Sequence, residues 1–173
     1  MPNKPLLKVE TLAVLGRGAV LHASCVAFDG RAFVFMARSG GGKSTISGKL
    51  EEAGGTLIGD DVTIISRGTD GVLRAMPCGS FRPESPSRPD VEGLSGFFFL
   101  EFGSLLKIPL LDTGYAFYRA MRQSQVLVMR YLDTEARAAA AEGLREALLY
   151  AGAGVLRFSL GDEPAAVRDC LLG

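Results

Sequence analysis

Two apolar runs, residues 20–28 and 31–37, are separated by only Asp29-Gly30, and the second leads directly into Ala37-Arg38-Ser39-Gly40-Gly41-Gly42-Lys43-Ser44-Thr45. Asp-Gly between two apolar runs signals a hairpin, because the favoured two-residue turn needs positive φ at both central positions. The strand that enters the glycine run therefore has an antiparallel neighbour. In the common doubly wound folds such a strand sits among parallel neighbours reached through helices, so the hairpin points to a different, mixed sheet. With a two-residue turn Phe28 faces Arg31, and the same register sets His22, the only histidine of the chain, opposite Ala37.

The glycine run has its own chemistry. Successive glycines let the backbone take positive φ and turn N–H groups inward as a nest for phosphate oxygens, and the helix that follows adds its positive N-terminal end. Ser39, Gly40, Gly41, Gly42, Lys43, Ser44 and Thr45 are the candidate nucleotide-binding residues, with Lys43 reaching the β and γ phosphates and the Ser44 hydroxyl holding Mg²⁺. The usual pattern is G-x-x-x-x-G-K-[ST], and Ala37 stands in place of its first glycine. The plain alternative is a glycine-rich turn before a helix.

After Lys43, the positions Ile46, Leu50 and Ala53 fall at helical spacing, and Gly54-Gly55 ends the helix. The chain then returns through residues 56–65, an apolar stretch interrupted by Asp60-Asp61. Carboxylates beside a core are costly unless paired, hydrogen-bonded or metal-bound. Adjacent strand residues point to opposite faces, so both acids serve one centre only if the strand bends or ends at Gly59. In that case one aspartate holds Mg²⁺ and its neighbour accepts a proton from an attacking hydroxyl. Otherwise one is a turn or cap residue and the other a solvated strand end. His22 carries two readings as well, a half-buried strand residue satisfied by a carbonyl or a group that touches phosphate.

Elsewhere the pattern predicts a first strand at residues 8–15 and a short strand at 72–76. The segment 82–89, rich in Pro, Ser and Arg, reads as a surface loop whose Arg82 or Arg88 either crosses to the phosphates or is simply solvated. Residues 96–102 read as a buried strand in which Glu101 is the only charge, either a metal neighbour or an edge residue. Helices are predicted at 112–123 and 134–150, the latter capped by Asp133 or Thr134, while 125–132 is ambiguous. A strand at 155–160 and a final helix opened by Pro164 complete a single α/β domain spanning residues 1–173.

Composition limits the partners. Nineteen basic and 19 acidic residues cancel, which argues against nucleic acid or a membrane surface as partner. Cys25, Cys78 and Cys170 are widely spaced with no C-x-x-C pair, so they read as inert core thiols in a reducing compartment rather than as a zinc site or disulfide framework. No window approaches the roughly 18 uninterrupted apolar residues of a membrane span, and the N-terminal residues lack a signal-peptide core, so a cytoplasmic protein is expected.

Taken together, Leu21-His22-Ala23-Ser24, Ser39-Gly40-Gly41-Gly42-Lys43-Ser44, the helix ending in Gly-Gly and the pair Asp60-Asp61 resemble the catalytic domain of the HPr kinase/phosphorylase family and its shorter relatives. The match is firm over about residues 19–66, and Phe99-Leu100-Glu101 and the tail from Val155 are similar with less specificity. The resemblance implies a P-loop fold with a mixed sheet, shared with phosphoenolpyruvate carboxykinases, and transfer of the γ-phosphoryl of ATP to a serine hydroxyl with Mg²⁺. Carried over by position, Lys43 and Ser44 bind phosphate and metal, Asp60 and Asp61 supply metal binding and the general base, and His22 lies near the transferred group. This chain has Thr45 where the family carries glutamate, and no arginine beside Leu100-Glu101-Phe102-Gly103. A peptide, a protein or a small molecule is the expected hydroxyl acceptor, and a homo-oligomer stays open. Two other classes compete: a nucleotide-binding accessory module without chemistry, and a P-loop NTPase of ordinary topology. ATP and GTP are not distinguished by the loop.

Overall fold

The computed structural model describes residues 18–77, 91–124 and 132–173; the expected strand at residues 8–15, Cys78, Arg82, Arg88 and most of the ambiguous stretch after Ser124 lie outside them. The strands are β1 (Gly18–Leu21), β2 (Ser24–Phe28), β3 (Arg31–Met36), β4 (Thr56–Gly59), β5 (Thr63–Arg67), β6 (Leu73–Pro77), β7 (Val91–Glu92), β8 (Leu94–Phe102), β9 (Leu106–Leu110) and β10 (Ala153–Phe158). The helices are α1 (Lys43–Glu52), α2 (Thr113–Ser124), α3 (Thr134–Ala151) and α4 (Pro164–Leu172).

The fold is mixed α/β. Six strands form one sheet in the order β4-β2-β3-β8-β10-β9, and four form a second in the order β1-β5-β6-β7. The predicted hairpin is present. Asp29 (φ 49°) and Gly30 (φ 77°) both take positive φ, and Ser24 to Phe28 face Phe35 to Arg31 in the expected register. On its other side β3 pairs β8 in parallel, so the strand that delivers the glycine loop has one antiparallel and one parallel neighbour.

One expected strand is two. The run 20–28 breaks at His22-Ala23: β1 leaves to pair β5 in the small sheet, and β2 begins the large one. The break is fixed by side-chain chemistry, since buried Thr63 donates its hydroxyl to the Ala23 carbonyl at 2.9 Å. The run 56–65 divides likewise, β4 ending at Gly59 and β5 starting at Thr63, with Asp60 and Asp61 in the exposed link. An apolar pattern of period two cannot tell a continuous strand from one that changes sheets, because both bury the same residues. The edge strand β9 was not expected either; Pro109 argues against a strand in sequence, yet an edge position tolerates it.

Alternation along the strands sorts the core into two layers. Val26, Phe28, Phe33, Phe35, Phe98, Leu100, Leu156 and Phe158 face Ile46 and Leu50 of α1 and Val167 and Leu171 of α4. Cys25, Ala27, Ala32, Val34, Met36, Phe97, Phe99 and Val155 face α2, α3 and the small sheet. Cys25 is fully buried and desolvation pushes its thiol up to about 12, so it is a core residue and not a thiolate nucleophile. Among the described residues no helix is long and apolar enough to cross a membrane.

Candidate functional site

The site is built where β3 ends. Its buried run stops at Ala37, and Gly40 (φ 74°) and Gly42 (φ 92°) then turn the chain into α1. Gly42 is the N-cap of that helix in a left-handed conformation, which glycine adopts without the strain a Cβ brings. Gly41 serves a different need: a Cβ there would sit 2.7 Å from the Ala37 Cβ and 2.9 Å from the Arg38 carbonyl oxygen. Ala37 is therefore accommodated by the bare Cα of Gly41. Its own φ is not positive, so the missing first glycine costs no backbone strain here.

Lys43, the first residue of α1, is 7% exposed, and its ammonium donates to the Ala37 carbonyl oxygen at 3.2 Å and to His22 Nε2 at 3.1 Å. Burial lowers the Lys43 pKa from its usual value, and the charges of Asp61 and, more weakly, Asp60 oppose that shift. Because the ammonium donates, Nε2 of His22 accepts and the ring proton belongs on Nδ1. That Nδ1 is buried without a hydrogen-bond partner, 3.8 Å from Oδ1 of Asp61, whose side chain is 80% exposed. The hairpin explains how three distant segments meet. The register sets Ser24 opposite Phe35, so the His22-Ala23 link lies at the end of β3, and β4, the other neighbour of β2, ends at Gly59 opposite Cys25, just before Asp60-Asp61 at the same edge.

These groups line one open cavity of about 500 Å³. His22, Ser39, Gly40, Gly42, Lys43, Ser44, Thr45 and Asp61 lie along it, together with Phe102 and Leu160. Of the residues singled out in sequence, Gly41, Asp60 and Glu101 are not on its lining. Gly41 sits behind the loop against Ala37, and Asp60 is exposed beside Asp61 and near enough to act on Lys43 electrostatically. Glu101 is turned to the face that packs α2, where its carboxylate accepts from Arg119 at 3.3 Å and from Arg157 at 3.4 Å. Its charge is matched by two guanidiniums, and Arg119 also lies over the Phe99 ring at 4.5 Å. No sequence pattern marked this cluster, because β8, α2 and β10 meet only in the fold.

Phe102 and Leu160 were missed for a different reason. Each reads in sequence as the end of an apolar strand, yet they are 57% and 70% exposed at the cavity wall. Exposure of a large apolar side chain beside a polar cleft is visible only in three dimensions.

Among the described residues no three acidic, histidine or cysteine side chains cluster as a closed cation site. The exposed Ser44 hydroxyl on the lining, and the Asp60 carboxylate in the exposed link beside it, are hard oxygen donors of the kind Mg²⁺ takes. A buried ammonium, glycines in left-handed conformation and a helix N-terminus thus border one cleft, the kinds of group that attract anions.

No protein-family profile matches the chain, and no curated protein matches it in sequence. Among solved structures, the Hpr(Ser) kinase/phosphatase from Coxiella burnetii is similar, with a TM-score of 0.49 and 12% identity over 88% of each chain. At that identity the likeness assigns this chain no activity.

Proposed function

We propose that this chain binds a nucleoside triphosphate with Mg²⁺ and transfers its γ-phosphoryl group to a hydroxyl of a peptide, protein or small-molecule acceptor. One observation carries the reading: Lys43 at the end of the glycine loop, with His22 and Asp61 from the links beside β2 and β4, lines a single cleft, a cation for the phosphates and a carboxylate beside it.

The loop N–H groups and Lys43 hold the β and γ phosphates, and the Lys43 charge tracks the negative charge that grows on the leaving oxygen. To meet phosphate Lys43 exchanges the Ala37 carbonyl for phosphate oxygens, a short move that His22, bonded to the same nitrogen, guides. Ser44 and Asp60 would hold Mg²⁺, which would supply neutralisation of phosphate charge. The acceptor hydroxyl attacks the γ phosphorus in line. A new O–P bond forms, the bond to the β–γ bridging oxygen breaks, and the hydroxyl proton passes to a carboxylate oxygen of Asp61. The nucleoside diphosphate leaves with the bridging oxygen. Asp61 suits that role because it is exposed to an incoming acceptor while lying 3.8 Å from His22, which ties it to the lysine.

Lys43→Ala tests the reading. Turnover of ATP, followed as nucleoside diphosphate release or phosphorylated product, should fall by about a hundredfold or more. Unchanged turnover would remove Lys43 from the chemistry and the proposal with it. Stabilisation of the wild-type chain by ATP, with no turnover by any acceptor, would favour the accessory module instead.

A further inference from the structure

The cleft has two unlike walls. His22 and Asp61 come from the links that border β2 and β4, on one side of β3 in the sheet order; Phe102 ends β8 and Leu160 follows β10, on the other side. Phosphate loops place their lysine at the β and γ end of the nucleotide, so the nucleoside must leave the loop away from Lys43, His22 and Asp61. We infer that Phe102 and Leu160 form the nucleobase wall of this site and hold a purine by apolar contact without reading its hydrogen-bonding edge. This rests on the nucleotide-binding role proposed above.

The Phe102 ring and the turn that carries Leu160 are both held in place. The Phe102 ring lies 5.4 Å from the buried Phe158 ring, whose edge in turn abuts the bare Cα of Gly42 at the loop. Lys49 of α1 donates to the Leu160 carbonyl at 2.9 Å and to the Asp162 carbonyl at 2.6 Å, while the Asp162 carboxylate accepts from the Ser159 amide at 2.6 Å and from its hydroxyl at 2.9 Å. The turn that presents Leu160 is thus pinned to the helix that opens the phosphate loop. A ring packed on a buried ring, beside a pinned turn, is pre-organised for a flat ligand, and ordering it again on binding costs little.

Neither side chain carries a nitrogen or oxygen, and the Leu160 carbonyl is already engaged by Lys49. Among the described residues this wall offers ring faces and methyl groups, which take either purine because both present a broad π face. ATP and GTP should therefore bind alike.

Equilibrium binding of ATP, GTP and inorganic tripolyphosphate, each with Mg²⁺, to the wild type and to Phe102→Ala, Leu160→Ser and Phe102→Tyr tests this. The wild type should bind ATP and GTP within about threefold of each other and both more tightly than tripolyphosphate. Loss of the stacking ring should weaken ATP and GTP about 5- to 100-fold while tripolyphosphate changes by less than about twofold, and Phe102→Tyr should restore nucleotide binding. Leu160→Ser should act in the same direction with a smaller effect. Tripolyphosphate binding as tight as ATP, equal weakening of all three ligands by Phe102→Ala, or a preference above about a hundredfold for one purine would each overturn the base wall while leaving the phosphate loop standing. Failure of every ligand to bind the wild type would overturn the phosphate site and the wall together.

Discussion

On one face of the six-stranded sheet the core is made of rings: Phe28, Phe33, Phe35, Phe98 and Phe158 pack under α1 and α4, with Phe35 and Phe98 stacked at 6.1 Å. The other face keeps two buried rings, Phe97 and Phe99, but sets small groups between layers, Ala27 and Ala32 in the sheet clustering with Ala116, Ala120 and Ala147 from α2 and α3. Both faces use glycine, for opposite purposes. Gly42 on the ring face needs its left-handed backbone, whereas Gly143 of α3 needs space, a Cβ there coming within 2.6 Å of the Gly18 carbonyl oxygen in β1. One face spends its irregular backbone on a cleft, and the other uses small residues to bring a helix against a second sheet.

If that division holds, substitutions should separate chemistry from stability according to face. Asp61→Asn, at the cleft edge, should lower kcat by about a hundred- to ten-thousandfold while nucleotide Kd moves only a few-fold and the melting temperature stays put. Steady-state kinetics beside thermal unfolding read both quantities. A parallel fall in affinity would mean that Asp61 acts in binding rather than as base.

Phe97→Ala is the counterpart on the far face. Phe97 is fully buried, and its loss should cost about 3–5 kcal/mol of unfolding free energy by chemical denaturation. Nucleotide affinity measured well below the unfolding transition should be unchanged. A specific loss of binding would couple the two layers more tightly than their separate packing suggests.

What the sequence reveals follows the same division. The hairpin register, the glycine loop, the helix behind it and its Gly-Gly stop are local features set by turn chemistry and capping, and they read directly. The cap of α3, open in sequence between Asp133 and Thr134, is Asp133, whose carboxylate accepts from the Ala136 amide at 2.8 Å. The small sheet was not legible: β1 and β5 carry the same apolar alternation whether they continue the large sheet or leave it, and the choice is made by a long-range bond from Thr63 to Ala23. In the cleft, the residue types of the charged wall announce themselves, whereas Phe102 and Leu160 look like core until the fold leaves them exposed. Glu101 shows the reverse, a lone charge in an apolar strand whose partners Arg119 and Arg157 come from elements far along the chain.

Gly143 and Gly42 show the same contrast between the two faces at the scale of one methyl group. Gly143→Ala places a methyl against backbone on the far side, where nothing can rotate away, and should destabilise by about 1–3 kcal/mol with kinetics intact. Gly42→Ala should cost about 1–2 kcal/mol for left-handed backbone, part of it relieved as the Phe158 ring shifts, and should also weaken nucleotide binding because the loop N–H groups re-aim. Calorimetric stability together with nucleotide titration distinguishes them. Equal effects on binding would erase the distinction between glycine for conformation and glycine for room.

The smallest expected effect belongs to Ala37, the residue that departs from the usual loop pattern. Its φ is not positive, its methyl group is buried in the ring-lined layer, and Gly41 leaves room for it. Restoring glycine with Ala37→Gly should then destabilise by about 1 kcal/mol, through greater freedom of the unfolded chain and a lost buried methyl, without improving nucleotide affinity. Nucleotide Kd beside denaturant midpoint decides the matter. A gain in affinity would mean that the alanine restrains the loop in a way the resting geometry does not reveal, and the tolerance argued from Gly41 would fail. Unchanged affinity with lower stability would make Ala37 a packing choice, local to the end of β3 and independent of what the loop binds.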